Sequence, residues 1–411
     1  MTTAAQDLLD LDFWSRPMAD RHAEFARLRA AREPAFYPYG EAASGLTGFY
    51  ALTRYDEVVE ASRNPAAFSS EPSSTSLDDP PPATAGLLGS MISLDDPRHA
   101  RLRRVVSRAF TPRMIKKAEG QVAVIAERLV RALAERGSGD FVTDVAMPMP
   151  LQIICSMMGV PESEYAAVID ATNSILAVGD PGFRSPDGRD RGTILVEKLG
   201  YLHSLMDKLA QQRRAEPADD LVSALVHANI DGEMLSDQDL ARFFTLLVVA
   251  GNETTRNAIS HSLAFFTEHP GQRALLLEDL GGRLPGAVEE IIRYASPVTW
   301  MRRNVTRDVD LGGHTYHAGD RVVLYYVSAN RDETVFAAPD RFDITRSPNP
   351  HVGFGGPGPH FCLGAHLARR EIIVLLSELF SRLPDIHATA EPQRQRASFI
   401  NGIANLPCST T

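Results

Sequence analysis

A cysteine near the C-terminal end of the chain has the surroundings of a reactive thiolate. The segment GFGGPGPHFC (353–362) is rich in glycine and proline and ends at Cys362, directly before a helical pattern. The amino end of a helix lowers the pKa of a thiol and favours the ionised sulfur. The small residues of the loop let a flat, bulky group approach the backbone. These surroundings indicate a thiolate that holds a cofactor.

Two other interpretations apply to residues of this kind. Glycine-rich loops before helices also cradle phosphates, but that interpretation requires a Lys-Ser/Thr pair or a strand–helix–strand pattern, and the sequence has neither here. A lone cysteine is usually a small buried hydrophobe, which is the interpretation we favour for Cys155 and Cys408. Three widely separated cysteines do not suit a disulfide framework, and they fit a reducing cytoplasm.

A polar segment interrupts a long apolar helical pattern. The segment FFTLLVVA (243–250) is apolar on every face, so the pattern predicts a core helix over 237–268. Gly251 and four polar residues follow, which is costly in a core unless they are hydrogen-bonded or used. One interpretation is a kink hydrated by buried water. The other is a local opening where Glu253 and Thr254 deliver protons and hold a small polar ligand.

Two charged pairs occur at helical spacing. Glu290 and Arg293 lie three residues apart and can form an ion pair on one helix face. His99 and Arg103 lie four apart on a helix opened by Pro97, where they could present two donors to an anion. A solvated helix face explains either pair equally well when it is taken alone.

The elements that must position these residues are mostly helices. The sequence predicts strands at 48–53, 304–311 and 320–324, and helices at 20–31, 55–62, 97–110, 113–136, 146–158, 162–177, 192–214, 218–228, 237–268, 272–281, 284–295 and 363–382. Residues 69–92 and 179–192 are rich in turn-forming residues and are expected to be lid loops. The pattern predicts a mainly α protein with small β-sheets. The length alone leaves one large domain or two open; no internal repeat or long linker divides the sequence, and we expect a single domain over residues 1–411.

Composition narrows the class of protein. Of the 411 residues, 42 are basic and 52 acidic, and a net charge of −10 argues against a nucleic-acid binder, which needs a concentrated basic face. The N-terminal segment has no basic stretch followed by an apolar run, so no signal peptide is expected. No stretch reaches ~18 uncharged apolar residues, so no membrane span is expected. We expect a cytoplasmic protein.

Together these residues resemble the cytochrome P450 superfamily, from LTRYDEV (52–58) to FINGIANLP (399–407). Four motifs occur in the family's order, and SANRDETVF (328–336) and PDRFD (339–343) match its meander region. The motifs are His99-x-x-x-Arg103, Ala250-Gly251-Asn252-Glu253-Thr254, Glu290-x-x-Arg293 and the Cys362 loop. The resemblance implies a triangular prism of helices that encloses haem b between the Gly251-kinked helix and the Cys362 helix.

The resemblance also implies roles for individual residues. Cys362 would be the axial iron ligand, which favours O–O cleavage. Thr254, with Glu253 beside it, would protonate iron-bound dioxygen. Glu290 and Arg293, with Arg341, would form a buried structural network. The remaining haem contacts would come from His99, Arg103, Arg303 and His360 at the propionates, with Arg302 the competitor of Arg303, and from Ala250, Phe354, Gly355 and Gly364.

The haem loop departs from the family's pattern at one place. Phe354 lies eight residues before Cys362, where the family places a phenylalanine seven before its cysteine, so one residue is added next to Phe354. The segment NPHVGFGG (349–356) is similar to the bacterial branch that includes sterol side-chain and methyl-branched lipid hydroxylases.

The resemblance implies a monooxygenase that hydroxylates a branched lipid, sterol or terpenoid with O2 and two electrons. The expected substrate pocket consists of Leu246, Val249, Ala250, Val298, Thr299 and Ile403. A polyketide or macrolide tailoring oxidase is the nearest alternative. A peroxygenase is disfavoured by the pair Glu253-Thr254, and a non-catalytic haem-binding protein by the lack of any output module.

The expected electron donors are a ferredoxin and its reductase, because the sequence carries no flavin or nicotinamide domain. Two helices carry the arginines expected to bind an acidic ferredoxin: Arg101, Arg104, Arg108, Arg369 and Arg370. We expect a monomer.

Overall fold

The computed structural model describes residues 7–42, 45–79, 89–109, 112–179, 185, 187–229, 232 and 234–411. Residues 80–88 of the first expected lid loop, and residues 180–184 and 186 of the second, lie outside this set.

Helices make up most of the described chain. The α-helices are α1 (Leu11–Ser15), α2 (Met18–Ala30), α3 (Tyr55–Arg63), α4 (Arg98–Ala109), α5 (Pro112–Arg136), α6 (Pro148–Met157), α7 (Tyr165–Gly179), α8 (Arg191–Ala215), α9 (Leu221–Val226), α10 (Asp237–Glu268), α11 (Pro270–Glu278), α12 (Leu280–Ala295), α13 (Tyr326–Ala329) and α14 (Ala365–Arg382). Short 3-10 helices cover Asp7–Leu9, Met91–Ser93 and Glu162–Glu164, and a π-helical turn covers Val142–Ala146. The long predicted helices are confirmed, with bounds that differ by a few residues.

Small sheets flank the helical body. The strands are β1 (Ala35–Ala42), β2 (Gly45–Leu52), β3 (Phe68–Ser69), β4 (Ser138–Asp140), β5 (Trp300–Val305), β6 (Val309–Leu311), β7 (His314–Tyr316), β8 (Arg321–Tyr325), β9 (His387–Ala388), β10 (Gln393–Arg394), β11 (Ile403–Asn405) and β12 (Pro407–Ser409). The largest sheet has the order β1-β2-β8-β5-β3, in which only β2 and β8 run parallel. The single strand predicted over 304–311 is wrong, because residues 306–308 leave the sheet between β5 and β6.

Helix α10 carries the polar segment through the molecule. A capping box begins it, since Ser236 Oγ accepts the Asp239 N–H and the Asp239 carboxylate accepts the Ser236 N–H. The part before Gly251 packs in one hydrophobic cluster with α6, α8 and α9, and the part after Asn257 packs in another with α5, α12 and α14. The polar segment therefore lies where the two cores meet.

Gly251 is explained by the approach of a neighbouring helix. A Cβ at this position would lie 2.6 Å from Ile154 Cδ1 on α6, closer than two carbon atoms can pack. The helix continues across Gly251 from Asp237 to Glu268. Thr254 Oγ1 donates to the Ala250 carbonyl at 2.7 Å, a bond within the turn that competes with the backbone ladder.

A buried ion network ties α12 to the meander. Both Glu290 and Arg293 are fully buried, and Arg293 donates two hydrogen bonds of 2.8 Å to the Glu290 carboxylate. Arg346 Nε lies 3.2 Å from Glu290 Oε2, and the Asp343 N–H donates to Glu290 Oε1 at 2.9 Å. The prediction of Arg341 as the third side chain of this network is wrong. The Arg341 side chain is 68% exposed, and the residue contributes only its carbonyl, which accepts from Arg293. Two buried arginines thus depend on one carboxylate.

In the described part of the chain, no helix is both long enough and apolar enough to cross a membrane.

The network predicts a strong stability effect for Glu290→Gln. A glutamine cannot balance Arg293 and Arg346, and an uncompensated buried charge costs about 3–5 kcal/mol. Denaturant titration should show a loss of that order in the free energy of unfolding. Arg341→Ala is the matched control and should change it by less than about 0.5 kcal/mol, because its side chain is exposed. Equal effects of the two variants would contradict this description of the network.

Candidate active site

A single cavity brings together named residues from three of the four sequence motifs; Glu290 and Arg293 of the remaining motif lie outside it. Helix α10 forms one wall, and the Cys362 loop with the first turns of α14 forms the opposite wall. Apolar side chains from α10, from the segment after residue 90, and from β5 and the residues just before it form most of the rest: Met91, Ile92, Phe243, Leu246, Leu247, Val298 and Met301. The cavity therefore has the two facing helices that a flat cofactor would need.

The Cys362 sulfur lies where helix α14 begins. The N–H of Cys362 donates to the Phe354 carbonyl at 3.0 Å and closes the loop. Burial raises the pKa of the Cys362 thiol, while the backbone N–H groups of Gly364 and Ala365 and the charges of Arg103 and Arg369 act in the opposite direction. The site thus supplies donors for a thiolate, and a bound metal cation would complete the stabilisation.

The other two cysteines lie in the core, away from the cavity. Cys155 and Cys408 are buried and unlinked, and burial raises the pKa of their thiols to about 12 and about 11. They are small core side chains, as predicted.

Basic side chains gather at one end of the cavity. His99, Arg103, Arg303 and His360 all line it, and the two imidazole rings lie 4.1 Å apart, centroid to centroid. Burial, followed by the charge of Arg303, lowers the pKa of His360 to about 3. Burial and the charge of Arg103 likewise lower the pKa of His99. The charges of Arg103 and Arg303 therefore create a positive potential at this end of the cavity, which suits an anion.

The two neighbouring arginines of β5 point to opposite faces of the sheet, as strand geometry requires. Arg302 donates to the carbonyls of Ser73 at 2.9 Å and Leu77 at 2.6 Å and to Asp79 at 2.6 Å, away from the cavity. Arg303 lines the cavity and is almost fully buried. The geometry therefore favours Arg303 as the residue at the anionic end of a cofactor.

The acid and the alcohol of α10 face different surroundings. Thr254 lines the cavity opposite Cys362. Glu253 is buried outside the cavity wall, where its carboxylate accepts from Arg256, from Asn257 at 3.0 Å and from Gln395 at 3.4 Å. Its second oxygen, Oε2, is buried without a hydrogen-bond partner. The carboxylate thus stands behind the helix rather than inside the cavity.

Half of the expected substrate pocket lines this cavity. Leu246, Ala250 and Val298 do so. Val249, Thr299 and Ile403 are not among its described lining residues. Thr299 Oγ1 donates to the carbonyls of Ser398 and Phe399 instead. Ile403 is fully buried in the core, and Val249 packs against the α6–α9 cluster.

These residues fit haem b. Cys362 supplies a sulfur ligand of the kind that iron accepts, and the basic end of the cavity suits two propionates. His99 Nε2 is buried and has no hydrogen-bond partner, as expected of a donor that meets a cofactor carboxylate. Gly355 and Gly364 lie in the wall and present only backbone to the ring.

Comparison with known proteins decides the family. The sequence model described as Cytochrome P450 matches residues 50–395. The chain belongs to the cytochrome P450 family. The methyl-branched lipid omega-hydroxylase of Mycobacterium bovis is 47% identical over 98% of this chain and 94% of the relative. The steroid C26-monooxygenase of Rhodococcus jostii is 39% identical over 97% of this chain and 83% of the relative. A Mycobacterium marinum cytochrome P450 in complex with pseudoionone is 40% identical, with a TM-score of 0.90 over 97% of both chains.

This P450 is therefore a monooxygenase that binds haem b through a cysteine thiolate and hydroxylates lipophilic substrates with dioxygen. The P450 fold expected from the motifs is confirmed. The comparisons give no better support to a tailoring oxidase, a peroxygenase or a non-catalytic haem protein.

Some residues around the site were not found by sequence reasoning. Arg346 replaces Arg341 in the buried network, and Glu289 contacts both His351 and Arg369. His351 stands in the segment with the added residue, which was the available signal for its role. Nothing in the sequence distinguished Arg346 from the other arginines of the meander.

The basic end of the cavity predicts how haem is retained. Arg303→Gln should speed haem transfer to a haem-free acceptor protein by about 10-fold or more, because a charged hydrogen bond contributes about 1.5–3 kcal/mol. Arg302→Gln is the matched control: it should lower the melting temperature through the Ser73–Asp79 segment and leave the haem transfer rate near wild type. Faster haem loss from the Arg302 variant than from the Arg303 variant would reverse the assignment.

Proposed function

We propose that Cys362 is the axial iron ligand of this P450 and that the enzyme hydroxylates the terminal carbon of a methyl-branched lipid chain. The observation that carries the proposal is the distribution of charge in the cavity. Among the described lining residues, the charged side chains lie at the haem-propionate end and on α14, while the wall formed by α10, Met91 and Met301 is apolar. A lipid then enters with its tail first, because this wall offers no charged partner to a polar head and only the hydroxyls of Thr254 and Thr255.

Relatives support the same substrate class. The omega-hydroxylase that is 47% identical acts on methyl-branched lipids by its name. A sterol side chain is the second candidate, because the steroid C26-monooxygenase is 39% identical and a sterol tail also ends in a branched methyl group.

When bound, haem supplies the chemistry of electron uptake and oxygen activation. Thr254 holds a proton at Oγ1, which donates to the Ala250 carbonyl and can turn toward the cavity by rotation about χ1. Glu253, the preceding residue of α10, is the acid that we propose to restore this proton, from behind the helix through its unpartnered Oε2. Arg256 and Gln395 hold the carboxylate of Glu253 in place from the far side. The apolar lining excludes water from the carbon to be oxidised.

We propose that a ferredoxin, itself reduced by a ferredoxin reductase, delivers the electrons and docks beside α4. Arg103 Nη2 donates to the Phe361 carbonyl at 2.6 Å, which holds α4 against the Cys362 loop. Arg104 and Arg108 are exposed on the same helix. Arg369 and Arg370, by contrast, are bound to Glu289 and Glu119, so α4 is the better-placed basic surface for an acidic partner.

We further propose that the enzyme works as a cytoplasmic monomer and that residues 1–411 form one domain. Reduced Cys155 and Cys408 in the core suit the cytoplasm. Near the two ends of the chain, Trp14 stacks on Tyr325, and β12 pairs with β4. Among the described residues, the exposed large apolar side chains belong to separate elements, which suits a monomer.

The proton-delivery role of Thr254 predicts an uncoupled variant. Thr254→Ala should form product about 10²-fold more slowly, the lower end of what proton transfer contributes, while the consumption of reducing equivalents continues and ends in peroxide. Thr254→Ser keeps the hydroxyl and should stay near wild type. Product and peroxide measured per electron consumed decide between the outcomes. Full coupling in the alanine variant would rule out this role.

The substrate proposal predicts an order of affinities. In a binding screen by haem absorption, a methyl-branched fatty acid should bind more tightly than its straight-chain isomer, with sterols, terpenes and macrolides on the same panel. Leu246→Trp should weaken lipid binding, since it fills the apolar wall. Tightest binding by a sterol would support the second candidate, and binding by macrolides alone would show that the lipid proposal is wrong.

The docking proposal predicts a selective loss of electron transfer. Reversing charge in the double variant Arg104→Glu/Arg108→Glu should slow ferredoxin-driven turnover by about 10-fold or more at low salt, because it removes electrostatic steering. Peroxide-driven turnover should be unchanged. Arg32→Glu, at an exposed arginine outside α4, controls for net charge. Loss of both activities in the double variant would contradict a docking role.

A further inference from the structure

The segment with the added residue is bound to the helix that carries the Glu290 network. Asn349 Nδ2 donates to Glu290 Oε2 at 3.1 Å, and the Val352 N–H donates to Asn330 Oδ1 at 2.7 Å. A Cβ at Gly353 would lie 2.6 Å from Ile292 Cγ2. The chain therefore runs against α12 immediately before Phe354, where only a glycine leaves room.

His351 lies at the centre of this segment and is almost completely buried. Its side chain is 3% exposed, and its Nδ1 accepts the Gly353 N–H at 3.1 Å. Because Nδ1 accepts, Nε2 carries the hydrogen, and it donates to Glu289 Oε2 at 3.0 Å. The backbone of the loop thus sets the tautomer of His351 and aims its donor at Glu289.

Glu289 connects His351 to a cation near the sulfur. Arg369 donates to both Glu289 oxygens, at 2.5 and 2.8 Å. The guanidinium carbon of Arg369 lies 4.2 Å from the centroid of the Phe354 ring, within cation–π range. Burial raises the pKa of Glu289, but the hydrogen bonds from Arg369 and His351 outweigh it and bring that pKa to about 2. Glu289 is therefore a permanent anion between the two.

The far end of this network acts on Cys362. The Phe354 carbonyl accepts the Cys362 N–H at 3.0 Å, and Arg369 Nη1 donates to the Ala365 carbonyl at 3.3 Å, which places the guanidinium beside the start of α14. How fully Glu289 neutralises Arg369 therefore determines how strongly Arg369 draws electron density from the sulfur. A carboxylate that is held less firmly neutralises the guanidinium less.

We propose that His351 is a positioning residue for the thiolate: by holding Glu289 against Arg369, it keeps the Arg369 guanidinium over the Phe354 ring and sets the electron density at the Cys362 sulfur. The inference rests on Cys362 as the axial ligand and is independent of the substrate.

The test measures the iron rather than turnover. In the haem-loaded enzyme, Glu289→Gln should raise the midpoint potential of the haem iron. At a fixed applied potential, the ratio of reduced to oxidised haem should then rise about fivefold, which is the effect expected of one partly exposed ion pair. The iron–sulfur stretching frequency should fall in the same variant. His351→Phe should shift both in the same direction by a smaller amount. His351→Gln keeps a donor for Glu289 and should restore values near wild type.

Arg370→Gln is the matched control, since Arg370 follows Arg369 on α14 but pairs with Glu119 at 3.0 Å. It should leave both readings at wild type. If His351→Phe fails to bind haem, Glu289→Gln and His351→Gln still decide the matter. Wild-type potential and stretching frequency in Glu289→Gln, or a shift in His351→Gln as large as that in His351→Phe, would overturn the proposal. Loss of the thiolate spectrum in every variant would instead point to a general collapse of the loop and would also overturn it.

Discussion

The site depends on keeping the Cys362 sulfur ionised at the wall of the cavity. Burial opposes the thiolate of Cys362, and the chain offsets that cost with two backbone N–H groups at the start of α14 and with the charges of Arg103 and Arg369. Each of these donors must be placed by another element. The start of α14 fixes the N–H groups, α4 carries Arg103, and a glutamate of α12 holds Arg369.

Two neighbouring glutamates on α12 organise that placement. Glu290 faces the meander and balances Arg293 and Arg346, while Glu289 faces the haem loop and binds His351 and Arg369. One helix thus anchors both the buried network and the thiolate loop. Helix α10 forms the opposite wall of the cavity. It spans two hydrophobic cores, and its polar turn lies where the two cores meet.

Sequence reasoning succeeded where local physics decides the outcome. The all-round apolar pattern predicted α10 with the bounds that the structure has, whereas only the structure, by placing β5, separated Arg303 from Arg302. The glycine-rich loop before a helix identified the environment of Cys362. Each of these depends on residues close together in the chain.

The failures came where the chain folds back on itself. Arg341 and Arg346 lie five residues apart in an irregular segment, and only the tertiary path decides which guanidinium reaches Glu290. Thr299 and Ile403 are both fully buried. A sequence pattern indicates that such a residue is buried, but it does not distinguish a side chain that packs in the core from one that faces a cavity. The pairing of His351 with Glu289 joins residues 62 apart, so no local pattern could have shown it.

The most direct measurement is the absorption spectrum of a Cys362→Ser variant after reduction under carbon monoxide. Our account predicts that the wild type gives the long-wavelength band of a thiolate-ligated haem and that the variant, with haem still bound at the His99–Arg303 end, loses it. Cys155→Ser, at a buried cysteine away from the cavity, should keep the band. A Cys362→Ser variant that retained the thiolate band would contradict the assignment on which the rest of the account depends.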